Sequence, residues 1–258
     1  MGAARGKHRV FEMTDKRRVD TLLVERGLAE SRARAQALVL AGLVWSDGRR
    51  VDKPGISLAG DTPLEVRGRE HPWVSRGGVK LAHALDHFAI DPSGAVALDI
   101  GASTGGFTDV LLTRGARRVY AVDVGHGQLA WKLRQDARVI VLERTNARHL
   151  TREHIPEAPD LVVCDASFIG LAKVLEAPLK LAKPDAKLVA LIKPQFEAGR
   201  EEVGKGGVVR DAAVHERVCD DARAWVQSQR WSVMGIVESP ITGPEGNIEF
   251  LLGAVKDG

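Results

Sequence analysis

Cysteine is scarce in this chain, with only Cys164 and Cys219 in 258 residues. Two thiols cannot build a disulfide framework or a four-cysteine zinc site, and such usage fits a reducing cytoplasm. Aromatic residues make up 5% and include a single tyrosine, so apolar burial has to come from Val, Leu, Ile and Ala. No apolar run approaches the ~18 residues that cross a bilayer. The longest, such as Leu161-Val-Val-Cys164 and Leu188-Val-Ala-Leu-Ile192, have strand length. The first ten residues are basic, but no apolar segment follows them, which reads against a secretory signal. The expectation is a cytoplasmic protein without membrane contact.

What is present is globular composition: 44% hydrophobic and 28% charged residues. The length suits one ordinary domain plus a small one. The net charge of +3 is unevenly spread. Residues 1–70 hold 14 Lys and Arg against 10 Asp and Glu, whereas residues 71–258 hold 23 against 24. A basic small module beside a near-neutral large one suggests docking on a polyanion by the first and chemistry in the second. The expected organisation is a basic extension (1–15), a small α+β module (16–70), a linker (71–78) and a large α/β domain (79–258). The extension reads equally as an RNA-touching arm or as a start-site addition.

In the small module, Val19, Leu22, Leu23 and Leu28 recur near helical spacing, with Gly27 at the expected helix end. Ser31 is a good N-cap for a second helix ending at Gly42, with Ala35, Leu38 and Val39 on one face. Arg32 and Arg34 lie in its first turns, against the helix dipole, which fits phosphate contact or solvated surface charge. Leu43-Val-Trp45 reads as a strand entering an Asp47-Gly48 hairpin turn, and Leu64-Glu-Val66 as a closing strand. The segment Arg18 to Ala35, followed by Ala41 to Pro54, resembles the S4 RNA-binding domain. That resemblance implies RNA contacts by Arg18, Arg32, Arg34, Arg49 and Arg50, directed at folded RNA shape.

Trp73 stands within the linker. Leu81, Ala84, Leu85 and Phe88 then mark one helix face, and Lys80 precedes it. His83 and His87 are four apart, but no third ligand or HExxH pattern follows, and no metal is expected. Ala95-Val-Ala-Leu-Asp-Ile100 is an apolar strand running into Gly101-Ala-Ser-Thr-Gly-Gly-Phe107 and a helix. Strand, glycine loop and helix open a doubly wound nucleotide-binding fold. A second strand, 118–122, ends at Asp123, placed to accept from the ribose hydroxyls of an adenosine ligand. The loop reads Gly101-x-x-x-Gly105-Gly106, which is neither G-x-G-x-x-G nor a P-loop. Asp99-x-Gly101-x-x-x-Gly105 resembles the first motif of S-adenosylmethionine (SAM) methyltransferases. The implied cofactor contacts are Asp99, Gly101, Ser103, Gly105, Gly106, Phe107, Asp123 and Val124, with Asn146 at an adenine edge.

Further strands are expected at 139–142, 160–164 and 187–192, ending near Asn146, Asp165 and Lys193. Carboxyl ends of parallel strands line the ligand crevice, so Gly101, Asp123, Asn146, Asp165 and Lys193 should converge on one rim. Residues 201–210 are glycine-rich and read as a loop over the site or as surface linker. Strands at 231–237 and 248–252 would form a terminal antiparallel edge, with Glu249 at the start of the second.

Amine methylation motifs with paired prolines after strand four are absent, and Cys164 lies inside a strand rather than in a nucleophile loop. Lys80, Asp165, Lys193 and Glu249 remain. Their order, with the segments Ser75–Leu81, Asp99–Asp109, Cys164–Ile169, Ile192–Glu197 and Gly243–Phe250, resembles the K-D-K-E tetrad of FtsJ-like ribose 2′-O-methyltransferases. With the S4 module, the chain resembles TlyA-type ribosomal-RNA methyltransferases, a family also labelled hemolysins. The resemblance implies methylation of cytidine ribose hydroxyls in 16S and 23S rRNA, with ribosomal RNA or subunits as partner and no obligate protein partner. In the implied mechanism Lys193 is the base, Lys80 and desolvation favour its neutral form, and Asp165 also contacts the cofactor. Two other readings compete: an inactive RNA- and SAM-binding protein, and a membrane-active cytolysin. The intact tetrad argues against the first. The lack of a membrane span or long amphipathic helix argues against the second.

Overall fold

The computed structural model describes residues 16–258 apart from residues 27, 30, 68–70 and 244. The basic extension and the helix stop at Gly27 lie outside these residues. The chain divides into two compact units, one up to residue 70 and one from His71.

The first unit runs β1 (Lys16–Arg18), α1 (Val19–Glu25), α2 (Arg32–Leu40), β2 (Val44–Ser46), β3 (Arg49–Arg50), β4 (Ser57–Ala59) and β5 (Glu65–Val66). Ser31 caps α2, its side chain accepting from the Arg34 N–H at 3.2 Å. Val19 and Leu23 of α1 meet Ala35, Leu38 and Val39 of α2 and Val44 of β2 in a small core. Asp47 and Gly48 both take positive φ, 48° and 75°, and turn β2 into its antiparallel partner β3. That is the backbone a two-residue hairpin needs. β2 is central to β3-β2-β5, while β1 pairs with β4 in a separate ribbon that the sequence pattern did not announce.

The second unit runs α3 (Gly77–His87), β6 (Val96–Ile100), α4 (Gly106–Thr113), β7 (Arg118–Val122), α5 (Trp131–Arg134), β8 (Val139–Leu142), β9 (Leu161–Cys164), α6 (Leu171–Leu181), β10 (Lys187–Ile192), α7 (Pro194–Glu197), α8 (Ala212–Ser228), β11 (Trp231–Glu238) and β12 (Phe250–Lys256). Seven strands form one sheet in the order β11-β12-β10-β9-β6-β7-β8. The five strands from β10 to β8 are parallel. Alternate residues of β6 face opposite layers. Val96, Leu98 and Ile100 join the core with Leu175 of α6 and Val218 of α8. Ala97 joins Leu81 and Leu85 of α3 and Val110 and Leu111 of α4 on the other face. Fully burying one such aliphatic side chain stabilises the fold by about 1.5–3 kcal/mol.

The expected antiparallel edge is the β11–β12 hairpin. Within it β12 is inserted between β10 and β11 and runs antiparallel to both. The last strand starts at Phe250 rather than 248 and extends to Lys256. Gly253, which reads as a strand end, instead continues the ladder opposite Val189. A Cβ there would come 2.7 Å from the Phe88 ring, so glycine lets β12 pass close to the end of α3. Glu249 therefore sits one residue before the strand. Among the described residues, no helix is long and apolar enough to cross a membrane.

Candidate active site

The parallel strands of the large unit deliver their carboxyl ends to one rim, and the turn after each carries a candidate residue. β6 ends in the glycine loop. Gly101 has φ +81°, and a Cβ on it would lie 2.9 Å from the Ala166 backbone, so both conformation and space require glycine. Gly105, at φ 95°, precedes α4, and a Cβ on Gly106 would come 2.3 Å from Ser75 Oγ. The loop is thus packed between the segment entering α3 and the turn after β9.

Asp99, the penultimate residue of β6, is fully buried. Its Oδ2 accepts from Thr108 Oγ1 at 2.6 Å, and its Oδ1 has no hydrogen-bond partner. Burial pushes its pKa up to about 7, with the Asp165 and Asp123 carboxylates adding to the rise. Asp123 accepts from the Ser103 N–H at 2.8 Å and the Gly125 N–H at 2.6 Å, tying two turns of the rim together. Asn146 is exposed and caps the following 3-10 turn, its Oδ1 accepting from the Arg148 N–H at 3.1 Å. Val124 is 72% exposed on the same rim. Phe107, in the first turn of α4, is 2% exposed and packs with Val110 and Leu111 in the core.

The four tetrad positions come together as two ion pairs. Lys193, at the end of β10, lies 2.7 Å from Asp165 Oδ1. Its ammonium also donates to Ser167 Oγ at 2.7 Å and to the Asp165 carbonyl at 3.1 Å. Lys80 on α3 donates to Glu249 Oε2, with both side chains buried. An exposed first-turn lysine, the ordinary expectation for Lys80 taken alone, is not what the fold makes of it. Each lysine is matched by a carboxylate, so the two are not set bare against each other. A Cβ on Gly77 would lie 3.5 Å from Asp165 Oδ2, which brings the start of α3 against the Lys193–Asp165 pair.

Several contributors went unmarked in the sequence. Ser167 binds Lys193 and is visible only as the third residue of Asp165-Ala-Ser-Phe168. Phe168 follows with φ 66° and 90% exposure, its ring 5.1 Å from that of Phe196. Asn247 is 1% exposed. Its Oδ1 accepts from the Val209 N–H at 3.0 Å and its Nδ2 donates to the Gly207 carbonyl at 2.9 Å. The glycine-rich stretch 201–210 is therefore pinned to the loop that carries Glu249. Gly243 closes that loop, since a Cβ on it would come 2.6 Å from Glu249 Oε1.

Burial and strand position make Cys164 inert, with its thiol pushed up to about 12. His83 and His87 stack at 6.1 Å, and no cluster of three potential metal ligands occurs among the described residues.

In the small unit, Arg18 and Arg32 both pair with the buried Asp20, at 2.8 and 3.1 Å, with Gln36 donating to the same carboxylate, while both arginine side chains stay about half exposed. The Arg18 guanidinium holds that carboxyl well below the usual carboxylate range. Arg50 pairs with Asp52 at 2.5 Å. Arg34 is half-buried and Arg49 exposed, and neither forms an ion pair with the described residues.

The donor set at the glycine loop fits a cationic cofactor. Asp99, Asp123 and Asp165 form a group of carboxylates close enough to raise Asp99, which would repel a pyrophosphate and attract an ammonium and a sulfonium.

Sheet order, glycine loop and paired lysines define an α/β methyltransferase unit joined to a small module of S4 type. Residues 73–256 match the FtsJ-like methyltransferase family, and residues 17–60 match the S4 domain. The chain belongs to the FtsJ-like methyltransferases. It is 52% identical over 241 residues to the 16S/23S rRNA (cytidine-2′-O)-methyltransferase TlyA of Mycobacterium tuberculosis, covering 93% of this chain and 90% of that protein. It is 50% identical over 242 residues to YqxC of Bacillus subtilis, covering 93% and 86%. A solved structure from Streptococcus thermophilus, named as a hemolysin, superposes with a TM-score of 0.74 at 46% identity, over 95% of this chain and 90% of that one.

Proposed function

We propose that this protein transfers a methyl group from SAM to the 2′-hydroxyl of cytidines in the ribosomal RNA of both subunits. The observation that carries this reading is the convergence of Lys80, Glu249, Asp165 and Lys193, as two ion pairs, on the rim that holds the carboxylate-lined glycine loop. The aligned TlyA relative carries cytidine-2′-O transfer on 16S and 23S rRNA in its name, which supports the choice of nucleotide and of both subunits.

When bound, SAM supplies a methyl on a positively charged sulfur that is open to in-line displacement. Asp123 and Asn146 hold its ribose and adenine, Val124 covers the adenine face, and Asp99 faces its charged end. Gly101, Ser103, Gly105 and Gly106 contribute backbone, and Asp165 borders both cofactor and substrate. A ribose hydroxyl is a poor nucleophile at neutral pH. Lys193 Nζ receives its proton, which requires that the lysine first give up one of the protons it now shares with Ser167 and Asp165. Lys80 and Glu249 fix the far side of the hydroxyl. Orienting groups of this kind supply much of the acceleration in a displacement reaction. Phe168, exposed beside Asp165, offers a face on which an unstacked base can rest. Of the five arginines, Arg34 and Arg49 are without an ion pair and open to phosphate, while Arg18, Arg32 and Arg50 reach RNA from within existing pairs. A ribosomal substrate supports a cytoplasmic location.

The test is incubation of purified ribosomal subunits and naked 16S and 23S rRNA with labelled SAM, followed by primer-extension mapping of 2′-O-methyls. New stops at cytidines in both RNAs are expected. Label on base atoms, or none in RNA, would reject the assignment.

A further inference from the structure

We infer that the methyltransferase unit carries its own docking groove for the phosphodiester backbone of RNA, formed by Arg148, Lys173 and Lys180. This rests on the rRNA-methyltransferase reading and adds a second contact to that of the small module. A cavity of about 400 Å³ lies between the 3-10 turn after β8 and the helix α6. Arg148, Lys173, Lys180 and Glu176 line it, over Leu150 and Leu181. The two leucines are 5% and 8% exposed and form a firm apolar floor.

Three cations face one carboxylate there. Lys180 pairs with Glu176 at 2.8 Å, but both side chains are about two-thirds exposed, and such pairs contribute little. Arg148 and Lys173 are exposed and make no ion pair with the described residues. Two cations without a carboxylate partner beside an apolar floor leave their donors open to an anion. The concentration is local, because residues 71–258 carry 23 basic against 24 acidic side chains.

Position selects the anion. Arg148 follows Asn146 by two residues, and Lys173 follows Asp165 by eight, in the first turn of α6. The groove is thus built from the segments that leave the carboxyl ends of β8 and β9, the same strand ends that lead to Asn146 and Asp165. An RNA strand whose ribose enters the site continues past it, and these cations offer its phosphates a contact on the same unit. The Arg148 guanidinium suits the paired oxygens of a phosphodiester. The helix terminus itself is not the attraction, since Glu197 Oε1 already accepts from the Leu171 N–H at 2.8 Å.

The test uses the full chain and 16S and 23S rRNA transcripts in filter binding between 50 and 200 mM KCl. Each lost phosphate contact removes roughly 0.7–0.9 from the slope of log affinity against log salt. Arg148→Glu with Lys173→Glu should lower affinity at least about tenfold at 50 mM and flatten the slope by about 1.5. The milder Arg148→Gln with Lys173→Gln should flatten it similarly. Both positions are exposed, so SAM affinity by calorimetry should stay unchanged and report an intact fold. Unchanged RNA affinity and slope would overturn the groove. So would loss of binding to phosphatidylglycerol–phosphatidylcholine vesicles with rRNA binding retained, because that assigns the cations to a membrane. Groove-dependent binding by a wild-type protein that transfers no methyl would support the groove while rejecting the enzymatic reading.

Discussion

Lys193 and Lys80 are both buried lysines with a carboxylate partner, yet their settings differ. Lys193 touches Asp165 and Ser167 at the end of a parallel strand, whereas Lys80 reaches Glu249 from a helix. Lys193→Ala is expected to abolish methyl transfer while SAM and RNA still bind. Lys193→Arg should fail as well, because a guanidinium keeps its proton. Lys80→Arg should be milder, since a cation still faces Glu249. Single-turnover transfer at saturating RNA across pH distinguishes these variants, and an active Lys193→Arg enzyme would move the base role elsewhere. Asp99 gives a different kind of test. Its folded pKa of about 7 lies above its ordinary 3.8 because burial penalises the charged form. The folded state therefore binds the proton more tightly. The stability this contributes is complete below about pH 4 and is lost as pH rises toward 7. Asp99→Asn should flatten that decline, read as denaturant midpoints between pH 4 and 7. An unchanged slope would remove Asp99 as its source.

Two loops rather than two helices set the precision of the site at the level of elements. Asp123 joins the glycine loop at Ser103 to the turn at Gly125, so Asp123→Ala removes a ligand acceptor and also loosens its surroundings. SAM affinity by calorimetry should fall at least about tenfold, the scale of one charge-assisted contact. Asn247 does the equivalent work on the opposite side, joining Val209 to the loop that ends at Glu249. Asn247→Ala leaves the buried Val209 N–H without an acceptor, at a cost of about 1–3 kcal/mol. A Tm lower by several degrees is expected by calorimetry. An unchanged Tm would show that the stretch 201–210 is held by other contacts.

Across the whole molecule, the basic excess sits in one compact unit and the chemistry in the other. The second unit has its own two-faced core, and none of the tetrad residues comes from the first. A chain lacking residues 1–70 should bind SAM with unchanged affinity and lose methylation of rRNA, because phosphate contacts dominate RNA affinity. Calorimetry and labelled methyl transfer read the two effects separately. Transfer at the full-length rate would show that the small module is not the docking element.

The alternation of apolar strands with glycine turns was enough to place β6 to β10 and the rim residues that follow them, because parallel strands are buried on both faces and announce themselves as apolar runs. The Ser31 cap and the Asp47-Gly48 turn were legible for the same local reason: each rests on interactions within a few residues. Other features depended on neighbours distant in sequence. Gly253 interrupts an apolar pattern, yet it continues β12 because Phe88 occupies the space beside it. Pro178 stays within α6 because the buried Leu175, Leu179 and Leu181 hold the helix together. Phe107 reads as part of a ligand loop, and only the fold shows that it also packs in the core. Arg18 and Arg32 read as phosphate contacts, and the fold adds a buried partner, Asp20, that their sequence positions did not show. Lys80 and Glu249 are separated by 169 positions, and only the insertion of β12 beside β10, opposite α3, brings them into one buried pair. Local chemistry determined which elements form and which residues stand at their ends. The tertiary structure decided which charges are paired, because pairing a buried charge depends on what the fold brings across from elsewhere in the chain.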